Sequence, residues 1–130
     1  MAVSLNHTII PVRDKHASAA FLAQILGLPV GTPFGPFVPV PVGESLTLDY
    51  ADVDFADRGV TTIAPHHYAF AVDDAEFDEI FGRIQAAGLK YYAEPHEPHR
   101  YGEVNTWRGH GKSVYFDDPD GHIMEVLTTS

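Results

Sequence analysis

Three polar residues interrupt otherwise apolar, strand-like runs: His7 in LNHTIIPV, His67 in HHYAFAV and Glu125 in HIMEVL. A carboxylate in an apolar strand costs free energy unless it is paired, solvated or bound to a metal. Two neutral imidazoles and one carboxylate form a 2-His-1-carboxylate set. Such a set holds a divalent metal and leaves coordination positions open for substrate or oxygen. Taken singly, each residue has an ordinary explanation: a satisfied core histidine, a strand-end histidine, a rim carboxylate. The case for treating them together comes from where they fall in the chain.

The elements that must position them occur twice. Residues 3–12 read as a strand, and Asp14 caps a helix with Ala17, Phe21, Ile25 and Leu28 at helical spacing and Gly27 at its exit. The segment 29–36 is rich in Pro and Gly. FVPVPV (37–42) suits only an edge strand, because proline cannot donate to a ladder. SLTLDY (45–50) alternates as a strand, and 51–65 reads as a polar connection. Then 66–72 is again a strand, Asp73 and Glu76 are spaced as a capping box, and Phe77, Ile80, Phe81 and Ile84 form a helical stripe closed by Gly88. Tyr91-Tyr92 starts a further strand. VYFDDPDGHIMEVL (114–127) reads as a hairpin turning at Asp118-Pro119-Asp120-Gly121.

Superimposing the halves puts His7 on His67, Val12 on Val72, Phe21 on Phe81 and, from the other end, Gly43 on Gly121. That alignment sets Thr47 opposite Glu125. Equivalent placing makes the two histidines less of a coincidence. Strand parity sorts the faces. Tyr68, Phe70 and Val72 suit packing under a helix, while His67 shares its face with the small Ala69 and Ala71, as a cavity would require. His66 falls with the bulky set and reads as a strand-entrance residue.

Composition bounds the function. The chain has 130 residues, one domain's worth, with module 1 at about 1–54 and module 2 at about 64–130. A net charge of −10 disfavours nucleic acid and anionic membrane surfaces as partners. The acidic stretches 49–57 and 73–79 read as solvated loop and helix face. There is no cysteine, so thiolate ligands, disulfides and a cysteine nucleophile are excluded. With eight histidines, metal ligation falls to His, Asp and Glu. MAVSLNHTII lacks a basic region followed by an apolar one, and no apolar run reaches membrane-spanning length, so a cytoplasmic address is expected.

LNHTIIPV, HHYAFAV with its helix, and VYFDDPDGHIMEVL together resemble the vicinal oxygen chelate superfamily, which includes glyoxalase I, bleomycin resistance proteins, fosfomycin resistance thiol transferases and extradiol dioxygenases. The resemblance spans essentially the whole chain. It implies an α+β fold of two βαβββ modules whose curved sheets enclose a metal cleft, with metal ligands at His7, His67 and Glu125. The metal would be Fe, Mn, Zn or Ni, and the partner a small-molecule substrate chelated through neighbouring oxygens. It also implies a homodimer in which one chain's first module completes the cleft of the other's second.

Departures from the subfamilies narrow this. Glyoxalase I draws a fourth ligand from the strand where this chain carries Thr47. Tyr115 matches a tyrosine of the extradiol signature and is the candidate hydrogen-bond donor to substrate, with His110 the nearest candidate acid/base, closer to Tyr115 than that signature places its histidine. Bleomycin-binding members lack the triad. Dioxygenase-type coordination is therefore favoured. A redox-neutral lyase, isomerase or thiol transferase is the enzyme alternative, and a metal-free, drug-sequestering protein the non-enzyme one. Trp107 and Arg108 read equally as a substrate-selecting lid or as ordinary packing, and His16 and His122 as surface residues.

Overall fold

The computed structural model describes residues 2–97, 99–109 and 111–129. The chain divides into two compact units, Met1–Ala64 and Pro65–Ser130. Both are small mixed sheets with a helix inserted after the first strand. In the first unit the order is β1 (His7–Val12), α1 (Lys15–Leu26), β2 (Phe37–Val42), β3 (Leu46–Asp52) and the short α2 (Val53–Ala56). In the second it is β4 (His67–Ala71), α3 (Asp74–Ala86), β5 (Tyr91–Tyr92), β6 (Ser113–Asp117) and β7 (Ile123–Leu127).

The sheets share a plan. β3 lies between β1 and β2, and β7 lies between β4 and β6, with β5 added outside β6. In each, the opening strand runs parallel to the middle strand, and the following hairpin is antiparallel. Among the described residues two features depart from equal modules: α2 has no counterpart in the second unit, and the expected third strand after α1 does not form. Its segment is the Pro- and Gly-rich stretch 29–36, and its ladder is reduced to an isolated bridge between Phe34 and Phe37, because prolines supply no N–H.

Helix ends follow the sequence signals. Asp14 accepts from the His16 and Ala17 backbone N–H groups, and Gly27 closes α1 in the left-handed region at φ 73°. Asp73 and Glu76 form a reciprocal capping box on α3. The buried stripe of α1 is Ser18, Ala19, Leu22, Ala23 and Ile25, rotated from the expected Ala17–Phe21–Ile25 line. Small residues on that face let the helix sit close to the sheet, while Ala17 is exposed and Phe21 half-buried. Against it lie Ile10, Val12, Val38, Val40, Leu48 and Tyr50, all essentially inaccessible. On α3, Phe77, Ile80 and Ile84 are buried as expected, and Phe81 meets Tyr91 edge-on at 5.0 Å.

The connection 51–65 is less irregular than its polarity suggests. Ala51 and Asp52 extend β3, and α2 brings Phe55 edge-on to Phe37 at 5.7 Å. His122 also departs from expectation. It is fully buried rather than at the surface. It shares strand parity with Met124 and Val126, its Nδ1 accepts the His66 backbone N–H at 2.8 Å, and its own N–H donates to Asp118 Oδ1. The hairpin turn is thus tied to the start of β4. Asp118 Oδ1 also accepts from the Asp120 N–H, and Gly121 supplies the φ of 87°.

Gly111 sits where only glycine fits. Its φ is 67°, and a Cβ there would lie 2.2 Å from the Thr128 carbonyl oxygen. The adjoining Lys112 exchanges two hydrogen bonds with Thr128, fastening the approach to β6 onto the end of β7. Gly111→Ala is expected to destabilise the protein by at least about 1–3 kcal/mol through strain and backbone displacement. A thermal melt should show Tm falling by several degrees; an unchanged Tm contradicts the close approach.

Candidate metal and substrate site

In the second unit the middle strand β7 carries Glu125 between Ala69 of β4 and Tyr115 of β6. The face is the one parity assigns: His67, Ala69 and Ala71 are exposed along β4, which leaves room above the carboxylate. Glu125 is nevertheless only 5% exposed. Its two oxygens are held from opposite sides. His67 Nε2 lies 3.0 Å from Oε1, and Arg108 Nη1 donates to Oε2 at 2.8 Å. A buried carboxylate is tolerable only with such partners. His67, by contrast, keeps 45% of its side chain exposed.

Tyr115 belongs to the same cluster. Its ring stands 5.9 Å from that of His67 and stacks on Tyr92 at 5.8 Å. Burial first, then the neighbouring Glu125 charge, pushes its hydroxyl up to about 12. Tyr115 therefore remains a proton-bearing donor at any physiological pH. Tyr92 donates to Asp117 Oδ1 and is raised further still, again mainly by burial. Tyr68, whose hydroxyl lies 2.7 Å from His66 Nδ1, is pushed up to about 12 by burial and by Asp118.

His67, Glu125 and Tyr115 are thus brought together within one unit. His7 lies in the other unit, exposed, with Nδ1 2.8 Å from Asn6 Oδ1. His110 lies outside the described residues. Among the described residues no group of three His, Cys, Asp or Glu side chains forms a cluster ready for a metal ion. The pair that does form has the right chemistry: imidazole nitrogen and carboxylate oxygen accept Fe, Mn, Zn and Ni alike. Arg108 is more than a packing residue or lid, since it is an ion-pair partner of the buried acid. Trp107 is exposed and donates from Nε1 to Glu94.

Strand register revises the comparison of the halves. His67 is level with Ile123, so Glu125 stands two residues further along, beside Ala69. In the first unit His7 is level with Thr47, and two residues further Asp49 stands beside Ile9. The counterpart of Glu125 is therefore Asp49, not Thr47. Counting back from the shared glycine missed this by two residues because the turns and strand entries differ in length. Asp49 is also not a solvated loop acid, as its place in the acidic stretch suggested. It is 6% exposed in the middle strand, and burial raises its carboxyl while His7 opposes the shift. The alternation of SLTLDY, which sets Asp49 opposite Leu48 and Tyr50, was the available signal.

Residues 4–126 match the family model of the Glyoxalase/Bleomycin resistance protein/Dioxygenase superfamily. The chain belongs to this superfamily. Glutathione transferase FosA of Serratia marcescens is 27% identical over 132 residues, covering 97% of this chain and 81% of that protein. The structure named Oxidase ChaP-H2 is 49% identical with a TM-score of 0.89, covering 100% of this chain and 96% of that one. Oxidase ChaP-H1 is 50% identical with a TM-score of 0.88, covering 99% and 98%. These relatives, a transferase and two oxidases, support an enzyme of the superfamily. No helix among the described residues is long and apolar enough to cross a membrane.

The raised phenols carry a signed consequence. The fold favours their neutral form, so their contribution to stability is full below about pH 10, the ordinary tyrosine value. It is lost as pH rises through about 12, the folded value for Tyr68 and Tyr115. Absorbance at 295 nm and far-ultraviolet circular dichroism, followed together, should show these tyrosines ionising only as secondary structure is lost in that window. Their ionisation near pH 10 in a still-folded protein contradicts it.

Proposed function

We propose that the protein is a metal-dependent oxidase that uses dioxygen on a hydroxylated aromatic small molecule, with a divalent metal held by His67, Glu125 and His7. The His67–Glu125 pair carries the metal reading, as a buried acid and an accessible imidazole 3.0 Å apart on a sheet face cleared by alanines. Full-length likeness at about half identity to two structures named as oxidases favours oxidation over group transfer.

When bound, the metal supplies a Lewis-acid centre with open positions for two neighbouring substrate oxygens. Arg108 orients Glu125 by holding Oε2, which leaves Oε1 toward His67. Tyr115, kept protonated by its burial, donates a hydrogen bond to a substrate oxygen, and Tyr92 braces its ring. His110, the histidine nearest in sequence to the family's acid/base position although closer to Tyr115 than the family spacing, moves a proton. The site works in a homodimer, with His7 supplied to the second unit of the other chain. The second reading is a redox-neutral transfer of a thiol to a small electrophile, favoured by the likeness to FosA over 97% of this chain.

Protein reconstituted anaerobically with Fe(II) and mixed with hydroxylated aromatics should consume oxygen when air is admitted. Glu125→Ala and His67→Ala should lose metal retention and reduce uptake by more than about 100-fold, with the fold intact by circular dichroism. Retention should also fall in acid, since a protonated imidazole cannot coordinate. Turnover of a carbonyl or epoxide substrate with Mn or Zn under anaerobiosis, without oxygen uptake under Fe(II), selects the transfer reading.

Subunit sharing has its own check. Mixed and exchanged His7→Ala and Glu125→Ala chains should regain one metal per heterodimer, because one of its two sites then holds all three ligands. No regain after verified exchange places all ligands within one chain.

A further inference from the structure

The two middle-strand acids have opposite surroundings. Glu125 has His67 and Arg108, whereas Asp49 is flanked by Ile9 on β1 and Pro39 on β2. Asp49 Oδ1 is buried and has no hydrogen-bond partner among the described residues. His7 opposes part of the cost of burying this carboxylate, but a buried acceptor without a hydrogen bond remains expensive. Asp49 and His7 line a cavity of about 480 Å³ within the first unit, with Asn6 and Thr47 also on its polar side and Phe34, Phe37, Pro39 and Pro41 as its apolar walls. Phe34 and Phe37 meet at 5.4 Å, and Phe37 is braced by Phe55. Gly31 closes one side, donating its N–H to the Pro39 carbonyl at 2.8 Å.

Aromatic and proline rings present flat apolar surface, which suits a flat apolar ligand. The volume falls in the range for drug-sized ligands, roughly 300–1,000 Å³, and exceeds the needs of a single ring. A buried acceptor oxygen without a partner on such a wall selects a ligand carrying a hydrogen-bond donor, because a ligand without it leaves the acid unpaired.

We propose that the first unit carries a substrate subsite for a fused-ring phenol, in which Asp49 accepts the hydrogen bond of a ring hydroxyl and Phe34, Phe37, Pro39 and Pro41 hold the ring system. The subsite deepens the oxidase reading, on which it rests, by naming what the substrate must carry besides its chelating oxygens. Either carboxylate oxygen can be presented by rotation about χ2. Asp49 is here a binding residue, distinct in role from Glu125 although equivalent in register.

The test uses metal-free protein and affinity alone, so it stands or falls separately from oxygen uptake. 2-Naphthol, 2-methoxynaphthalene and naphthalene are titrated by calorimetry at pH 7. Wild type should bind 2-naphthol about 10-fold or more tighter than the other two, as expected for a hydrogen bond to a charged acceptor. Asp49→Ala should reduce that preference to within about twofold, and Asp49→Asn, which keeps an acceptor and the shape, should retain part of it. Phe37→Ala should weaken 2-naphthol and naphthalene alike. The comparison of 2-naphthol with its methyl ether on wild type needs no variant to fold. Equal affinity for those two, or a preference unchanged in Asp49→Ala, overturns the subsite. So does loss of metal from Asp49→Ala in protein whose wild type retains it, which would make Asp49 a ligand. Hydroxyl preference without oxygen uptake keeps the subsite and removes the oxidase reading.

Discussion

A negative charge on the middle strand of an apolar sheet must be answered by something, and the second unit is arranged around that requirement. Glu125 cannot be hydrated where it stands, so His67 and Arg108 take its two oxygens. The alanines of β4 keep the face open, Tyr115 crowds the carboxylate from β6, and Tyr92 backs Tyr115. Each of these placements follows from the parity of one strand against its neighbour. Shifting β7 by a single residue would put Glu125 under the helix side and Met124 or Val126 in its place, so register and chemistry are the same constraint.

The two units show how a repeated scaffold acquires different sites. The middle-strand acid is kept in both, but its cross-strand neighbour is Tyr115 in one and Pro39 in the other. A tyrosine sets a polar hydroxyl beside the carboxylate, and a proline brings only hydrocarbon. With His67 and Arg108 on its oxygens Glu125 is a satisfied acid, whereas Asp49 Oδ1 has no hydrogen-bond partner among the described residues. In the proposed subsite that polar demand passes to the ligand.

Much of this was readable in the chain. The hairpin at 114–127, the capping box at Asp73 and Glu76, and the pairing of His67 with Glu125 on one face follow from alternation and turn chemistry, which are local. What escaped the sequence was non-local. Arg108 reaches Glu125 from an irregular segment with no periodicity to aim it. His122 is buried because a backbone N–H from the start of β4 needs its ring nitrogen. Asp49 was concealed by charged neighbours that look like a solvated run, although its own strand alternates as clearly as the last one. Parallel pairing between β1 and β3 fixes which acid matches which, and no local pattern encodes that register.

The prolines of β2 have a consequence beyond the cavity they line. Phe37, Pro39 and Pro41 hold alternate positions along the strand, and on its far side the Pro39 carbonyl is taken by Gly31 and the Phe37 N–H by Phe34. The two prolines offer no donor at all. The margin of this sheet is therefore chemically blunt. It cannot template a further strand, which protects an otherwise valine-rich ribbon from amyloid-like growth. It also dictates how copies of the chain can associate at this margin: by apposing side-chain faces, never by adding a strand beyond β2.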